Sequence, residues 1–170
     1  MTTVVEETGS LEATLAEGHG TLQLVSFRLA EEAYGIEITK VREIILISEI
    51  TRIPQTPHYV KGLINLRSTV IPVIDLRALF GLPDGELTDE SRIMVIHAKG
   101  RTLGITVDAV SEVLRVKKEQ IAPPPPTVAK LGKEYLTGLV KLEKELLILL
   151  DIEKILGDEQ QTLDRTLAGK

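Results

Sequence analysis

Short apolar runs separated by turn residues set the character of this chain. In Val25-Ser26-Phe27-Arg28-Leu29 apolar and polar positions alternate, the period of a strand with one buried face. Arg92 to Ala98 (R-I-M-V-I-H-A) is apolar on both faces, as suits a strand held between two layers. Lys99-Gly100-Arg101 is a tight-turn signal, so that strand is predicted to hairpin into Thr102 to Val107. Further β-branched and Leu-rich runs occupy Val60 to Leu66, Val70 to Ile74, Leu139 to Leu142 and Leu146 to Leu150. Helical signals are short and confined to Asp75 to Phe80 and Asp151 to Leu156. Each opens on an aspartate that follows a strand, the place of an N-cap.

The pattern repeats. Y-G-I-E-I-T-K-V-R-E-I-I from Tyr34 aligns without gaps on L-G-I-T-V-D-A-V-S-E-V-L from Leu103. H-Y-V-K-G-L-I-N-L-R-S-T-V-I-P-V-I-D-L-R-A-L-F-G from His58 aligns in the same way on E-Y-L-T-G-L-V-K-L-E-K-E-L-L-I-L-L-D-I-E-K-I-L-G from Glu134. The extra residues of the second copy fall around P-P-P-P-T-V-A-K. A duplicated unit results, from about Leu24 to Gly81 and from about Ile93 to Gly157. Each copy reads as strand, hairpin, strand, short helical turn, further strands and a closing helix. About five short antiparallel strands cannot bury both faces as an open sheet, so each copy is expected to close into a small barrel. The fold class is therefore all-β with short helices, in two β-barrels packed together. Gly35 with Gly104, and Gly62 with Gly138, are expected where a side chain would clash. Residues 1–20 are expected to be a flexible lead-in, and 158–170 a polar tail.

Composition narrows the function. Hydrophobic residues make up 43% of the 170, but aromatics only 3%, so aliphatic side chains must fill the core. A net charge of −5 and few aromatic residues argue against a nucleic-acid partner, which needs a basic face and stacking platforms. There is no cysteine, which excludes disulfides and thiolate chemistry and fits a reducing cytoplasm. The first residues lack the basic region and apolar run of a secretory signal, and no apolar run approaches a membrane span.

Catalytic and metal motifs are missing. His19, His58 and His97 do not stand at metal-ligand spacing with one another or with paired carboxylates. No Gly-rich phosphate loop or nucleophile elbow occurs, and Glu43 and Glu112 are repeat equivalents, not a dyad. Neither a catalytic nor a cofactor or metal site is expected. Pro123 to Pro126 is expected to be a stiff extended segment, read as a spacer, an SH3-type ligand or a protein contact. The copies differ most usefully at Asn65-Leu66-Arg67, which faces Lys141-Leu142-Glu143. Alternation puts Leu66 on the buried side and Arg67 on the other, where it is either a solvated strand-end arginine or part of a binding surface.

The segments Y-G-I-E-I-T-K-V-R-E-I, T-R-I-P-Q-T-P-H-Y-V-K-G-L-I-N-L-R, V-I-P-V-I-D-L-R-A-L-F-G and E-Y-L-T-G-L resemble the CheW family in order and spacing, over about Leu22 to Leu156. The resemblance implies one domain over 21–157 built of two intertwined five-stranded SH3-like barrels, with subdomains of about 22–81 and about 93–157. It implies a non-catalytic adaptor, monomeric in isolation, linking transmembrane chemoreceptors to the histidine kinase CheA. Such a protein is cytoplasmic, recruited to receptor arrays, without cofactor or direct membrane insertion. In that family the receptor's cytoplasmic hairpin tip docks between the barrels, and the kinase's regulatory domain meets the barrel ends. Matched motif to motif, the receptor-binding positions would be Val41, Glu43, Gly62, Arg67 and Val113. Ala122, Pro126 and Thr127, in the proline-rich loop, would be kinase contacts. One departure stands out: the family's N-L-R is usually followed by Gly, and here by Ser68. If that position needs a positive φ, Ser68 is strained. The same fold serves as the kinase's own regulatory domain and as the front half of CheV, but their further domains do not fit in 170 residues. The alternatives are an SH3-like module for another partner such as nucleic acid and, third, an enzyme of unknown type.

Overall fold

The computed structural model describes residues 20–83, 85–124 and 135–155. In chain order the strands are β1 (Thr21–Leu29), β2 (Glu32–Glu37), β3 (Val41–Leu46), β4 (Val60–Leu66) and β5 (Thr69–Asp75). The single-turn helix α1 (Leu76–Leu79) leads to β6 (Arg92–Ala98), β7 (Arg101–Val107), β8 (Ala109–Lys117), β9 (Ile121–Ala122), β10 (Leu136–Lys141) and β11 (Leu146–Leu150). A second helical turn covers 152–155. Asp75 caps α1 by accepting the backbone N–H groups of Arg77 and Ala78. Asp151 does the same for its turn through the Lys154 N–H at 3.1 Å. Both expected caps are present.

Among the described residues eleven strands make two sheets, ordered β8-β1-β2-β11-β10-β9 and β3-β6-β7-β5-β4. Each sheet mixes the two copies. The first copy's hairpin β1–β2 lies between β8 and β11 of the second, and the second copy's hairpin β6–β7 lies between β3 and β5 of the first. The exchange is symmetric down to register. Gly35 of β2 pairs in parallel with Leu149 of β11, and their repeat equivalents Gly104 and Val73 pair in the same way. The bulge at Val60/Gly62 recurs at Leu136/Gly138, and the one at Val41/Glu43 recurs between Val110 and Glu112. A Cβ on Gly35 would stand 2.9 Å from the Leu147 side chain and one on Gly104 3.0 Å from Ile93, which accounts for both glycines.

Strand alternation divides the apolar residues among three clusters. On β6, Met94, Ile96 and Ala98 enter a core shared by both sheets, with Phe27, Tyr34, Ile36, Leu103 and Ile105. Ile93 and Val95, on the opposite face, join Ile64, Ile71 and Val73 in a cluster that belongs to the second sheet. The first sheet has its own counterpart, formed by Leu24, Ala33, Val116, Val140, Leu147 and Leu149. Both faces of the central strands are thus buried, as the unbroken apolar run of β6 predicts. A line of aromatic rings crosses the shared core: Phe27 stacks on Tyr34 at 5.9 Å, Tyr34 on Phe80 at 5.8 Å, and Phe80 lies 6.1 Å from Tyr135. Burial, and then the nearby Glu32 carboxylate, push the Tyr34 phenol above its ordinary range.

The all-β class with short helices and the two-unit architecture hold, but barrel closure is corrected. Neither sheet closes through hydrogen bonds among the described residues; β8 and β9 are the edges of one, and β3 and β4 of the other. Closure is unnecessary because the shared core buries one face of each sheet while a private cluster buries the other. The β4 edge is protected by a short device. Thr51 forms a single bridge to Leu63 with two 2.8 Å backbone hydrogen bonds, and β9 holds the equivalent place beside Leu139 of β10.

Candidate functional site

The site grows from two local irregularities in the second sheet. On β3 the bulge between Val41 and Glu43 resets the alternation. Val41 and Ile44 pack on the shared core, while Ile45 packs on the private cluster. At the β4–β5 hairpin, Leu66 pairs with Thr69, leaving a two-residue turn of Arg67 (φ 49°) and Ser68 (φ 71°). Two left-handed residues are what a type I′ turn needs to match strand twist. The strain expected of Ser68 is therefore present.

The two irregularities meet. The Arg67 guanidinium grips Glu43, Nη1 donating to Oε1 at 3.3 Å and Nη2 to Oε2 in a shorter bond. Since β6 and β7 lie between β3 and β5, this ion pair arches over the β6–β7 hairpin. Beneath it is an open cavity of about 230 Å³ with an apolar floor of Leu66, Ile71 and Val95 and a rim that includes Arg42 and Thr102. Arg67 is 70% exposed and Glu43 only 23%, so the pair shows a guanidinium to solvent and keeps its carboxylate inside. Alternation placed Arg67 opposite Leu66. The turn ends that alternation, and both side chains line one cavity.

The remaining positions are more dispersed. Gly62 lies at the β4 bulge with φ 146°, and a Cβ there would fall 2.1 Å from the Thr51 carbonyl oxygen. Its part is the close approach of backbones. Val113, on β8, is 7% exposed in the shared core, against which Val41 also packs. The structure thus joins Glu43 with Arg67 directly and relates Val41 to Val113 through the core. Ala122 is exposed on β9, paired with Leu139. Pro126 and Thr127 lie outside the described residues.

Sequence reasoning missed a second polar feature. Arg77 of α1 holds Asp108, in the link from β7 to β8, and also donates to the Pro83 carbonyl at 2.7 Å. Asp108 further accepts the Ala30 N–H from the β1–β2 turn at 2.7 Å. Burial alone would raise the Asp108 pKa. The Arg77 hydrogen bonds, the Ala30 N–H and then the Arg77 charge outweigh it, so the carboxyl sits below its ordinary value. In the second copy, Glu153 stands where Arg77 does and pairs with Lys40 at 2.8 Å and Lys99 at 3.4 Å. The repeat alignment held a signal for this, an arginine facing a glutamate at one helix position.

Chemically, the site offers an apolar strip, an exposed guanidinium and strand edges. Among the described residues no group of three or more His, Asp or Glu is placed to hold a metal ion. His58 lies 3.3 Å from the Ala78 carbonyl, and His97 pairs with the Thr102 hydroxyl at 2.6 Å. No helix among the described residues is long and apolar enough to cross a membrane.

The chain is thus an all-β fold of two hairpin-exchanging sheets, with a guanidinium over an apolar cavity. Residues 23–160 match the CheW-like domain. The Chemotaxis protein CheW of Klebsiella aerogenes is 43% identical over 141 residues, covering 83% of this chain and 85% of that protein. The Chemotaxis protein CheW of Treponema pallidum is 36% identical over 142 residues, covering 81% and 84%. Among solved structures, the scaffolding protein TtCheW from Thermoanaerobacter tengcongensis superposes with a TM-score of 0.72 at 38% identity, covering 76% of this chain and 88% of that one. The chain belongs to the CheW family of chemotaxis scaffold proteins.

Proposed function

We propose that this protein is a non-catalytic adaptor that couples transmembrane chemoreceptors to the histidine kinase CheA. The observation that carries this reading is the Arg67–Glu43 pair, an exposed arginine held by a carboxylate of an edge strand over a cavity floored by Leu66, Ile71 and Val95. A receptor's cytoplasmic hairpin tip would lay apolar side chains beside Val41 and a carboxylate against Arg67, which presents a planar fork of donors. Glu43 orients that fork, Gly62 lets the neighbouring backbone approach, and Val113 supports the strip from the core side. Ala122, with Pro126 and Thr127, would face the regulatory domain of the kinase. The protein would work in the cytoplasm as a monomer recruited to membrane-associated arrays.

The test is a pull-down with a chemoreceptor cytoplasmic fragment and with CheA, followed by kinase activity in the mixture. Binding to both, with kinase output that depends on this protein, supports the reading. Folded protein that binds neither overturns it. Arg67→Glu should weaken receptor binding with little change in melting, because the second copy carries Glu143 at that place.

A further inference from the structure

The segment linking β3 to β4 carries Pro54 and Pro57, whose rings fix φ and narrow the shapes it can take. Its own hydrogen bonds narrow them further. Thr51 exchanges two 2.8 Å backbone bonds with Leu63, and the Val60 N–H donates to the Pro57 carbonyl at 3.0 Å. The Thr56 hydroxyl donates to the Ile53 carbonyl, also at 3.0 Å. The segment surrounds an open cavity of about 450 Å³, apolar at Ile53, Pro54, Pro57 and Val60 and cationic at Arg52 and Lys61. This cavity shares no lining residue with the one beneath Arg67.

Its charge runs against that of the protein. The chain carries a net −5, yet no described Asp or Glu side chain lines the cavity. Arg52 is exposed and takes no part in the ion pairs among the described residues. Lys61 comes only within 3.9 Å of Asp75, whose Oδ1 caps α1. Nor does the fold require this chemistry. In the second copy the repeat matches Lys61 with Thr137 and the lining residue His58 with Glu134.

We propose that this cavity docks an acidic segment of a partner protein, seating an apolar side chain between carboxylates that meet Arg52 and Lys61. Complementarity decides the occupant. Two cations with no carboxylate among the lining residues select against a basic segment, and the apolar lining calls for a side chain that a bare anion lacks. A loop already fixed by its prolines and hydrogen bonds loses little freedom when the segment binds. None of the residues assigned to the receptor lines this cavity, so the contact stands apart from the adaptor reading.

The experiment titrates the isotopically labelled full chain with short capped peptides and follows its backbone amides by NMR. The probes are a leucine flanked by glutamates, the same leucine flanked by glutamines, and a serine flanked by glutamates. The glutamate–leucine peptide should shift the amides between Ile53 and Lys61 saturably and bind about tenfold more tightly than the glutamine peptide. The serine peptide should bind about fivefold more weakly through lost apolar burial. Arg52→Gln and Lys61→Thr should each weaken the glutamate–leucine peptide about three- to fivefold at an unchanged melting temperature. If Lys61→Thr melts early, Arg52→Gln decides alone, because its side chain is exposed. Equal affinity for the glutamate and glutamine peptides, shifts centred on Arg67, or binding indifferent to the substitutions overturns the proposal. So does a parent chain that binds none of the peptides.

Discussion

Arg77 and Asp108 are joined by two hydrogen bonds, Nε to Oδ1 at 3.0 Å and Nη2 to Oδ2 at 2.5 Å, across the boundary between the two sheets. Arg77 belongs to the helical turn after β5, and Asp108 sits where the chain leaves the second sheet for the first. With the Ala30 N–H as third donor, Asp108 ties the helical turn of one sheet to a hairpin turn of the other. Asp108→Asn should cost about 1 kcal/mol at neutral pH, because partial exposure screens a charge-assisted bond that is stronger when buried. The pH dependence has a definite sign. A carboxyl held below its ordinary value of 3.8 contributes stability above that value and loses it as pH falls through the folded-state pKa. Denaturant melts of both proteins from about pH 6 to pH 2 should therefore converge on the acid side. A gap that stays constant across this range would show that the carboxylate is not held as described.

The equivalent contact in the second copy has reversed polarity and a different weight. Glu153 pairs with Lys40 and Lys99 on an exposed surface, and these two ammonium groups, Lys40 foremost, hold its carboxyl below the ordinary range. Exposed pairs are screened and contribute little. Glu153→Gln should therefore shift the denaturation midpoint by much less than Asp108→Asn, and the shift should vanish when salt is raised to about 1 M, where the Debye length is near 3 Å. The Asp108 effect should largely survive that salt, since its hydrogen bonds are short and partly buried. Equal salt sensitivity in the two variants would contradict this ranking.

How far the fold is legible from sequence depends on the range of the contact. Hairpins such as β6–β7 follow from alternation and a Lys-Gly turn, and both helical turns follow from their aspartate caps, because these are local. The exchange of hairpins between copies is not local. A strand apolar on both faces, such as β6, is equally satisfied by neighbours from either copy, so periodicity alone cannot choose β3 and β7. Closed barrels were the expectation for the same reason, since two separate cores and one shared core ask for the same pattern of residues. The site divides likewise. The strain at Ser68 is readable, because a two-residue hairpin turn demands left-handed backbone. The reach of Arg67 to Glu43 is not readable without knowing that β6 and β7 lie beneath it.

That turn makes a prediction of its own. Arg67 and Ser68 both hold positive φ, which costs an ordinary residue about 1–2 kcal/mol relative to its preferred conformation. Ser68→Gly removes that penalty at one position but adds freedom to the unfolded chain. The net effect should be a stabilisation of about 0.5–1 kcal/mol, read as a rise in the urea midpoint with unchanged slope. The Arg67–Glu43 pair should persist, because glycine in the second turn position favours the same I′ geometry. A destabilised Ser68→Gly protein would mean that the serine side chain makes a contact worth more than its backbone strain.

The sharpest contrast between the copies concerns the glycines at the matched bulges. At Gly62 a Cβ would stand 2.1 Å from the Thr51 carbonyl oxygen, and φ is 146°, a region L side chains rarely adopt. Neither problem can be relieved by turning a side chain, because the opposing atom belongs to the backbone that bridges β4 to the Thr51 segment. Gly62→Ala should therefore break the Thr51–Leu63 bridge and cost about 2–4 kcal/mol. A Cβ on Gly138 would stand 2.7 Å from the Ala122 carbonyl oxygen, but Gly138 does not have a positive φ. Gly138→Ala has only the steric term, against a partner strand of two residues, and should cost clearly less. Amide hydrogen exchange separates the mechanisms. Gly62→Ala should expose the Leu63 N–H, which donates to Thr51, while leaving the amides of β6 and β7 protected. If both variants lose the same stability, or if Leu63 stays protected in Gly62→Ala, the clasp between Thr51 and β4 does not require glycine.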